Sequence, residues 1–546
     1  FVPFLNNPFA WDDRHYLTDN TFTHDLRNAR ELASPTYFDR YPERPGWRPL
    51  LELSFMADHA LWGLSPMPRR VPNLLVHMAN SGLVYRLAAA LTARPDAALA
   101  VGLIFALHPV HSENVFCSYF RTDSVATLCV LLGLMAYRRW PAGRSFLRTP
   151  AAWGTLTAFI AGIGFKEGAA VLLPLLWVHD RLRLHPDQAV RPRWSRYAPL
   201  LVFVAAYGLF RTILLPPQTT TQPTLASTWG GEIMINLLTF PKALVTYARL
   251  AVWPYPLAVD HAIVPAHALE PAVLGGLAIM AVYLWLMKRA WTSSPVAALG
   301  LAWAGLAHLP SAHLLPGVVT SFVAERYAYH ASAGIALAVA AGLAKWPPNS
   351  LSAWAPILLG LSVLYAGIDV RRGGEWRVPL TLYEKTMALY PNSYRALYNR
   401  AFQLEKQGRL AEARETYTRA IAADATWPEA HNNLGNLLID QGDFDGARRH
   451  FHQARLLEPE NGGIYLNLGN VEFLTGHLGL AEAWYKEALK VRPDFPDAVY
   501  MLEQTAKRRA APTAAISGSP SRIPPGPPVR APAPRAGSPA SIPGSP

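Results

Sequence analysis

Two cysteines in 546 residues, Cys117 and Cys129, form no CxxC pair and no disulfide spacing. A cross-linked scaffold is therefore excluded, and the redox compartment stays unread. Charge is also scarce: 16% of residues are charged against 51% hydrophobic, which excludes an average soluble protein. The formal charge of +12 is not accompanied by a basic helix or zinc-type spacing, so nucleic acid is not the partner it suggests. Arginine beside apolar helices more often orients membrane spans. No initiator methionine or signal peptide is visible, and Phe1-Val2-Pro3-Phe4-Leu5 reads as the outer end of a span.

Four segments follow from composition: a polar, aromatic-rich loop over 1–70, a multi-span membrane domain over 71–370, soluble repeats over 375–508 and a disordered Pro/Ser/Gly/Ala tail over 510–546. Apolar helices are predicted at 71–92, 97–110, 122–137, 151–165, 168–180, 198–215, 271–288, 295–312, 331–346 and 353–370. Several fall short of the roughly 20 residues a bilayer needs. The pair 151–165 and 168–180 reads as a tight hairpin tipped by Lys166-Glu167. Basic residues at 138–148, 181–196, 288–289 and 345 fall on one side, the cytoplasm, if 231–253 is an interfacial or re-entrant helix. The polar loops and everything after 370 then lie outside, with Arg69, Arg70, Arg371 and Arg372 against the rule.

From 374 the chain repeats with a 34-residue period. Gly408, Gly442 and Gly476 are in register, as are Ala413, Ala447 and Ala481, then Tyr417, Phe451 and Tyr485, then Ala420, Ala454 and Ala488. Small residues let paired helices approach, an aromatic fills the gap and glycine makes the turn. This is the tetratricopeptide pattern. The fold class is therefore all-α, a polytopic membrane helix bundle followed by a tetratricopeptide α-solenoid.

Ionisable residues gather at the proposed outer ends of the helices: Asp12-Asp13, Arg48, His108-x-x-His111 with Glu113, Arg121-x-Asp123, Lys166-Glu167 and Glu325-Arg326. Two of these groups lie against or within apolar sequence, where charge is costly and is paired or functional. Each has a plainer reading. Asp12-Asp13 alone suits a turn, the two histidines a structural pair with no metal cage, and Lys166-Glu167 or Glu325-Arg326 an internal ion pair.

The ordered series Trp11-Asp12-Asp13, Arg48-Pro49-Leu50, Asn73-Leu74-Leu75-Val76-His77 with Asn80, and Phe105-Ala106-Leu107-His108-Pro109-Val110-His111-Ser112-Glu113 is similar to that of a known family. Arg121-Thr122-Asp123, Lys166-Glu167, Glu325-Arg326-Tyr327-Ala328-Tyr329 and the repeats complete it. Over about 1–505 the chain resembles the transmembrane, tetratricopeptide-containing O-mannosyltransferases and their bacterial relatives, of the GT-C class. It departs at the front, where the family's first membrane helix precedes the position of Phe1.

The resemblance implies an inverting transfer of a sugar, mannose foremost, from a polyprenyl-phosphate carrier to a protein Ser or Thr hydroxyl. A carboxylate, Asp12 or Asp13, would take the hydroxyl proton. Arg48, His111, Arg121, Lys166 and Arg326 would face the donor phosphate, whose charge grows as it leaves. His108, Glu113, Asp123, Glu167 and Glu325 would support the site, and no metal ligands are assigned. The lipid tail would lie in a groove opening to the bilayer, and the repeats would engage acceptor or partner protein. Arg- and Ala-rich composition points to a bacterial inner membrane, with site and repeats extracytoplasmic. The competing readings are a non-catalytic membrane-anchored repeat scaffold and a transporter; no inverted repeat of broken helices supports the latter.

Overall fold

Proline sets where many of the helices start. Nine of the described α-helices begin on it, from Pro49 to Pro496, because its fixed φ suits the first helical position and its missing N–H is not needed there. The computed structural model describes all residues except 19, 35–46, 142, 188–193, 215–232, 267, 313–320, 348–350 and 511–546. The proposed tail after 510 and the basic residues Arg191 and Arg193 lie outside the described residues, within which every regular element is helical.

The chain forms two compact units, the first built from Phe1–Thr18, Phe22–Gln218 and Thr224–Thr386, the second mainly from Met387–Pro546. The first unit contains α1 (Pro49–Trp62), α2 (Pro66–Thr92), α3 (Pro95–Leu107), α4 (Ser112–Phe116), α5 (Arg121–Tyr137), α6 (Pro150–Phe165), α7 (Leu172–Arg181) and α8 (Trp194–Leu214). It continues through α9 (Ile233–Val252), α10 (Pro271–Ser293), α11 (Pro295–His308), α12 (Glu325–Leu343), α13 (Leu351–Arg377) and into α14 (Pro379–Leu389). Each predicted apolar helix has a helical counterpart among the described residues, and Ile233–Val252 is helical too. α1 and the first turn of α2 went unpredicted, since 6–70 read as a loop.

Among the described residues, four helices are long and apolar enough to cross a membrane: Pro66–Thr92, Ser118–Tyr137, Pro271–Ser293 and Trp354–Arg377. α10 and α13 leave Val282, Leu284, Trp285, Leu359 and Val363 exposed, which suits side chains solvated by lipid. α3, α6 and α11 are shorter, about 20 to 24 Å at 1.5 Å per residue. α11 and α12 pack with their backbones in close approach. A Cβ on Gly334 would meet the Gly300 carbonyl oxygen at 2.5 Å and Trp303 Cβ at 2.8 Å, so two glycines let the backbones touch.

The polar ends of the bundle separate into two groups. At one, Arg94 caps the end of α12 through the carbonyls of Ala344 (3.1 Å) and Trp346 (2.6 Å). Arg138 there reaches the carbonyls of Ala90 and Leu184. The other group carries most of the ionisable residues that the sequence singles out. Three of the four arginines that broke the sidedness rule, Arg69, Arg70 and Arg372, are buried there and bonded within the protein, whereas Arg371 stays exposed.

The second unit pairs α15 (Tyr394–Lys406) with α16 (Leu410–Ala423), α17 (Pro428–Asp440) with α18 (Phe444–Leu457), and α19 (Gly462–Leu474) with α20 (Leu478–Val491), before α21 (Pro496–Ala510). Gly408, Gly442 and Gly476 turn the pairs at φ 74°, 78° and 84°, a left-handed conformation that favours glycine. The repeated alanines and aromatics are buried. Asn433 donates to the Tyr398 hydroxyl (3.0 Å) and Asn467 to Asn432 Oδ1 (2.9 Å), joining successive inner helices.

Candidate functional site

Trp11-Asp12-Asp13 lies in a tight turn closed by Asp13 N–H on the Ala10 carbonyl (3.3 Å). Trp11 holds φ 56°, which costs a non-glycine residue about 1–2 kcal/mol. The turn separates the two acids. Asp13 is fully buried and accepts from the Tyr119 N–H (2.8 Å), the Cys117 thiol (3.3 Å) and the Arg70 guanidinium (3.4 Å). Asp12 is only partly buried. Burial, then the Asp13 and Asp12 charges, push the Cys117 thiol well above its ordinary pKa.

The remaining groups arrive from five elements. Arg48, capping α1, reaches Glu167 (3.1 Å) beyond the end of α6, and donates to the Tyr119 hydroxyl (3.3 Å). Burial opposes the Arg48 charge, but the Glu167 carboxylate overrides it and raises its pKa. Lys166 pairs with Asp123 on α5 at 2.6 Å and lies 5.1 Å from the Tyr327 ring centre. Arg326, in the first turn of α12, gives its backbone N–H and guanidinium to the two oxygens of Glu113 (2.9 and 3.1 Å). Its guanidinium also covers the Phe120 ring at 4.3 Å. Burial pushes the Glu113 carboxyl up to about 7 against the pull of Arg326.

These pairings correct one sequence reading. Lys166-Glu167 and Glu325-Arg326 are not internal ion pairs, because each residue pairs across to another element. Glu325 takes the Ala258 N–H (2.6 Å) and meets Arg372 and His261, both at 3.4 Å. Adjacent residues at a helix start point in different directions, and burial makes each find its own partner.

Two proposed phosphate ligands face inward. Arg121 binds Asp58 (2.7 Å), Asn73 Oδ1 (3.1 Å) and the Arg69 carbonyl (2.7 Å). His111 donates to the Phe105 carbonyl (2.8 Å) and faces Ser332 Oγ at 2.9 Å. Burial holds the His111 pKa well below its ordinary value and the His108 pKa at about 4, so neither is a fixed cation. His108 packs edge-on to Tyr365 and lies 3.4 Å from the Ala251 carbonyl.

Sequence reasoning missed Tyr119. Its N–H holds Asp13, its hydroxyl takes Arg48, and its ring stacks on Tyr16 at 3.6 Å. Position between His108-x-x-His111 and Arg121 was the only signal. The arrangement thus presents a partly buried carboxylate within electrostatic reach of Arg326, together with two further partly accessible cations held in the same unit. Side-chain exposures are 19% for Arg48, 17% for Lys166 and 7% for Arg326.

Two stretches, 382–415 and 432–499, match models of the tetratricopeptide repeat. Among curated proteins, the chain is 26% identical over 536 residues to Protein O-mannosyl-transferase Tmtc1 of Drosophila melanogaster, covering 79% of this chain and 61% of that protein. It is 21% identical to Protein O-mannosyl-transferase TMTC3 of Homo sapiens, covering 90% and 59%. For Tmtc2 of Drosophila melanogaster the identity is 29%, covering 48% and 29%. The chain therefore spans about three fifths or less of the length of these relatives. Among solved structures, a tetratricopeptide domain of Spaghetti (RPAP3) bound to an HSP90 peptide is 23% identical, with a TM-score of 0.21, over 22% of this chain and 94% of that one. The MamA protein gives 21% identity and a TM-score of 0.24 over 26% and 76%. The chain is thus similar in sequence to the Tmtc-type protein O-mannosyl-transferases and carries tetratricopeptide repeats.

Proposed function

We propose that this chain is an inverting membrane glycosyltransferase of the GT-C class, moving mannose from a polyprenyl-phosphate carrier to a Ser or Thr hydroxyl of a protein. The observation that carries the reading is the division of labour in Asp12-Asp13. Asp13 is buried and accepts from three donors, while Asp12 stays partly accessible and within electrostatic reach of Arg326.

In this reading Asp12 accepts the acceptor hydroxyl's proton as the oxygen attacks the anomeric carbon. The bond from that carbon to the phosphate oxygen breaks on the opposite face, so configuration inverts. The departing phosphate monoester gains negative charge, which Arg48, Lys166 and Arg326 stabilise because they are already held in place. Glu113, Asp123 and Glu167 orient these cations; Glu325 steadies the start of α12 through Arg372. His111 and Arg121 support the wall rather than the phosphate. The basic loops mark the cytoplasmic side, so the site and repeats are extracytoplasmic. The repeats engage the acceptor or a partner protein.

The test is transfer of radiolabelled mannose from polyprenyl-phosphate-mannose to protein by the purified full chain. Loss of transfer in Asp12→Asn, with the chain still folded, supports the reading. Undiminished transfer in that variant overturns Asp12 as the base. No transfer by wild type from any polyprenyl-phosphate sugar, with partner binding intact, would leave the scaffold.

A further inference from the structure

Tyr383 sits on α14, inside the stretch 382–415 that matches the tetratricopeptide repeat, yet it is buried in the first unit. Its hydroxyl accepts the Trp11 N–H at 3.3 Å, and the two rings lie 6.2 Å apart. Tyr383 and Trp11 share one buried cluster with Cys117, Phe120, Trp376 and Leu382. Two members of that cluster serve the site directly: the Cys117 thiol binds Asp13, and the Phe120 ring carries Arg326.

The turn it braces is one the backbone would not favour. Trp11 holds its left-handed φ without being glycine, and such conformations persist only where surrounding contacts over-determine them. The Trp11 ring is enclosed and its N–H is taken by Tyr383, so both ends of the residue are tied. Asp12 follows directly and inherits its direction from that peptide unit.

We propose that Tyr383 is the positioning residue for Asp12: by accepting the Trp11 N–H, it holds the strained turn that aims the carboxylate. This rests on the reading of Asp12 as the base. The helix that opens the repeat-like sequence is then part of the transfer site, and its first turns are not merely a tether.

Tyr383→Phe removes the acceptor and keeps the ring. Thr386→Val on the same helix is the control, since Thr386 Oγ1 faces the Val259 N–H at 3.4 Å and takes no part in the turn. Two measurements on the purified full chain decide it: amide hydrogen exchange over 9–14, and kcat with donor KM for mannose transfer. For Tyr383→Phe we expect faster exchange over 9–14 and a fall in kcat of about three- to tenfold, with donor KM unchanged. Thr386→Val should leave both readouts as in wild type.

Unchanged exchange or unchanged kcat in Tyr383→Phe overturns the proposal. So does a Thr386→Val chain that reproduces both effects, or a Tyr383→Phe chain that does not fold, because each would make Tyr383 only part of the core. If wild type transfers no sugar, the reading of Asp12 as base fails, while exchange over 9–14 still decides whether Tyr383 holds the turn.

Discussion

Asp13 and Arg70 face each other at 3.4 Å with both side chains wholly removed from solvent. A buried pair of this kind punishes the loss of one partner, because the other charge remains without compensation. Asp13→Asn is expected to lower stability by about 3 kcal/mol or more, read as an earlier thermal transition of the detergent-solubilised chain. Asp12→Asn should keep the transition and reduce transfer by about 10²- to 10⁴-fold. The reverse pattern would exchange the two roles.

The Lys166–Asp123 contact at 2.6 Å makes a sharper test of the site's wiring. A double-mutant cycle of Lys166→Met with Asp123→Asn should show a coupling of about 1 kcal/mol or more. The same cycle with Glu167→Gln in place of Asp123→Asn should be additive to within about 0.5 kcal/mol. Thermal unfolding of the four variants in each cycle gives the numbers.

Glu113 predicts a pH dependence. Its folded pKa of about 7 lies above its ordinary value of 4.5, so the folded chain keeps the proton to higher pH than the unfolded chain. The contribution is therefore fully present below about pH 4.5 and is lost as pH rises through 7. Midpoints measured from pH 5 to 8 should decline with pH more steeply in wild type than in Glu113→Gln. Equal slopes would remove Glu113 as the cause.

The contact between α11 and α12 should not tolerate a side chain. Gly334→Val forces the backbones apart and should destabilise by about 1–3 kcal/mol, shifting Glu325 and Arg326 at the head of α12. Gly82, which has open space where a Cβ would go, is the control; Gly82→Ala should leave the transition temperature essentially unmoved.

Much of the fold was legible because its causes are local or periodic. The columns of Gly442, Ala447, Phe451 and Ala454 each express one packing need, repeated until it stands out. α1 was hidden because its charged and aromatic surroundings masked a helix that begins properly on Pro49. The gathering of ionisable groups could be foreseen from the cost of charge beside apolar sequence. Their pairing could not: Lys166 and Glu167 look like partners only along the chain, and the reach of Arg48 to Glu167 is a property of the assembled bundle. Nor does the sequence separate Asp12 from Asp13, since the left-handed turn at Trp11 decides which of them is buried.

The amide links between inner helices of the repeats have a consequence for editing the chain. Asn433 reaches back 35 positions to Tyr398, and Asn467 reaches back 35 to Asn432. Excision of one whole 34-residue period, 428–461, would bring Asn467 to the place of Asn433, opposite Tyr398. The same donor would find the same hydroxyl across the new junction. Removal of one whole period therefore preserves this amide link, whereas a cut of any other length leaves Asn467 out of register with Tyr398.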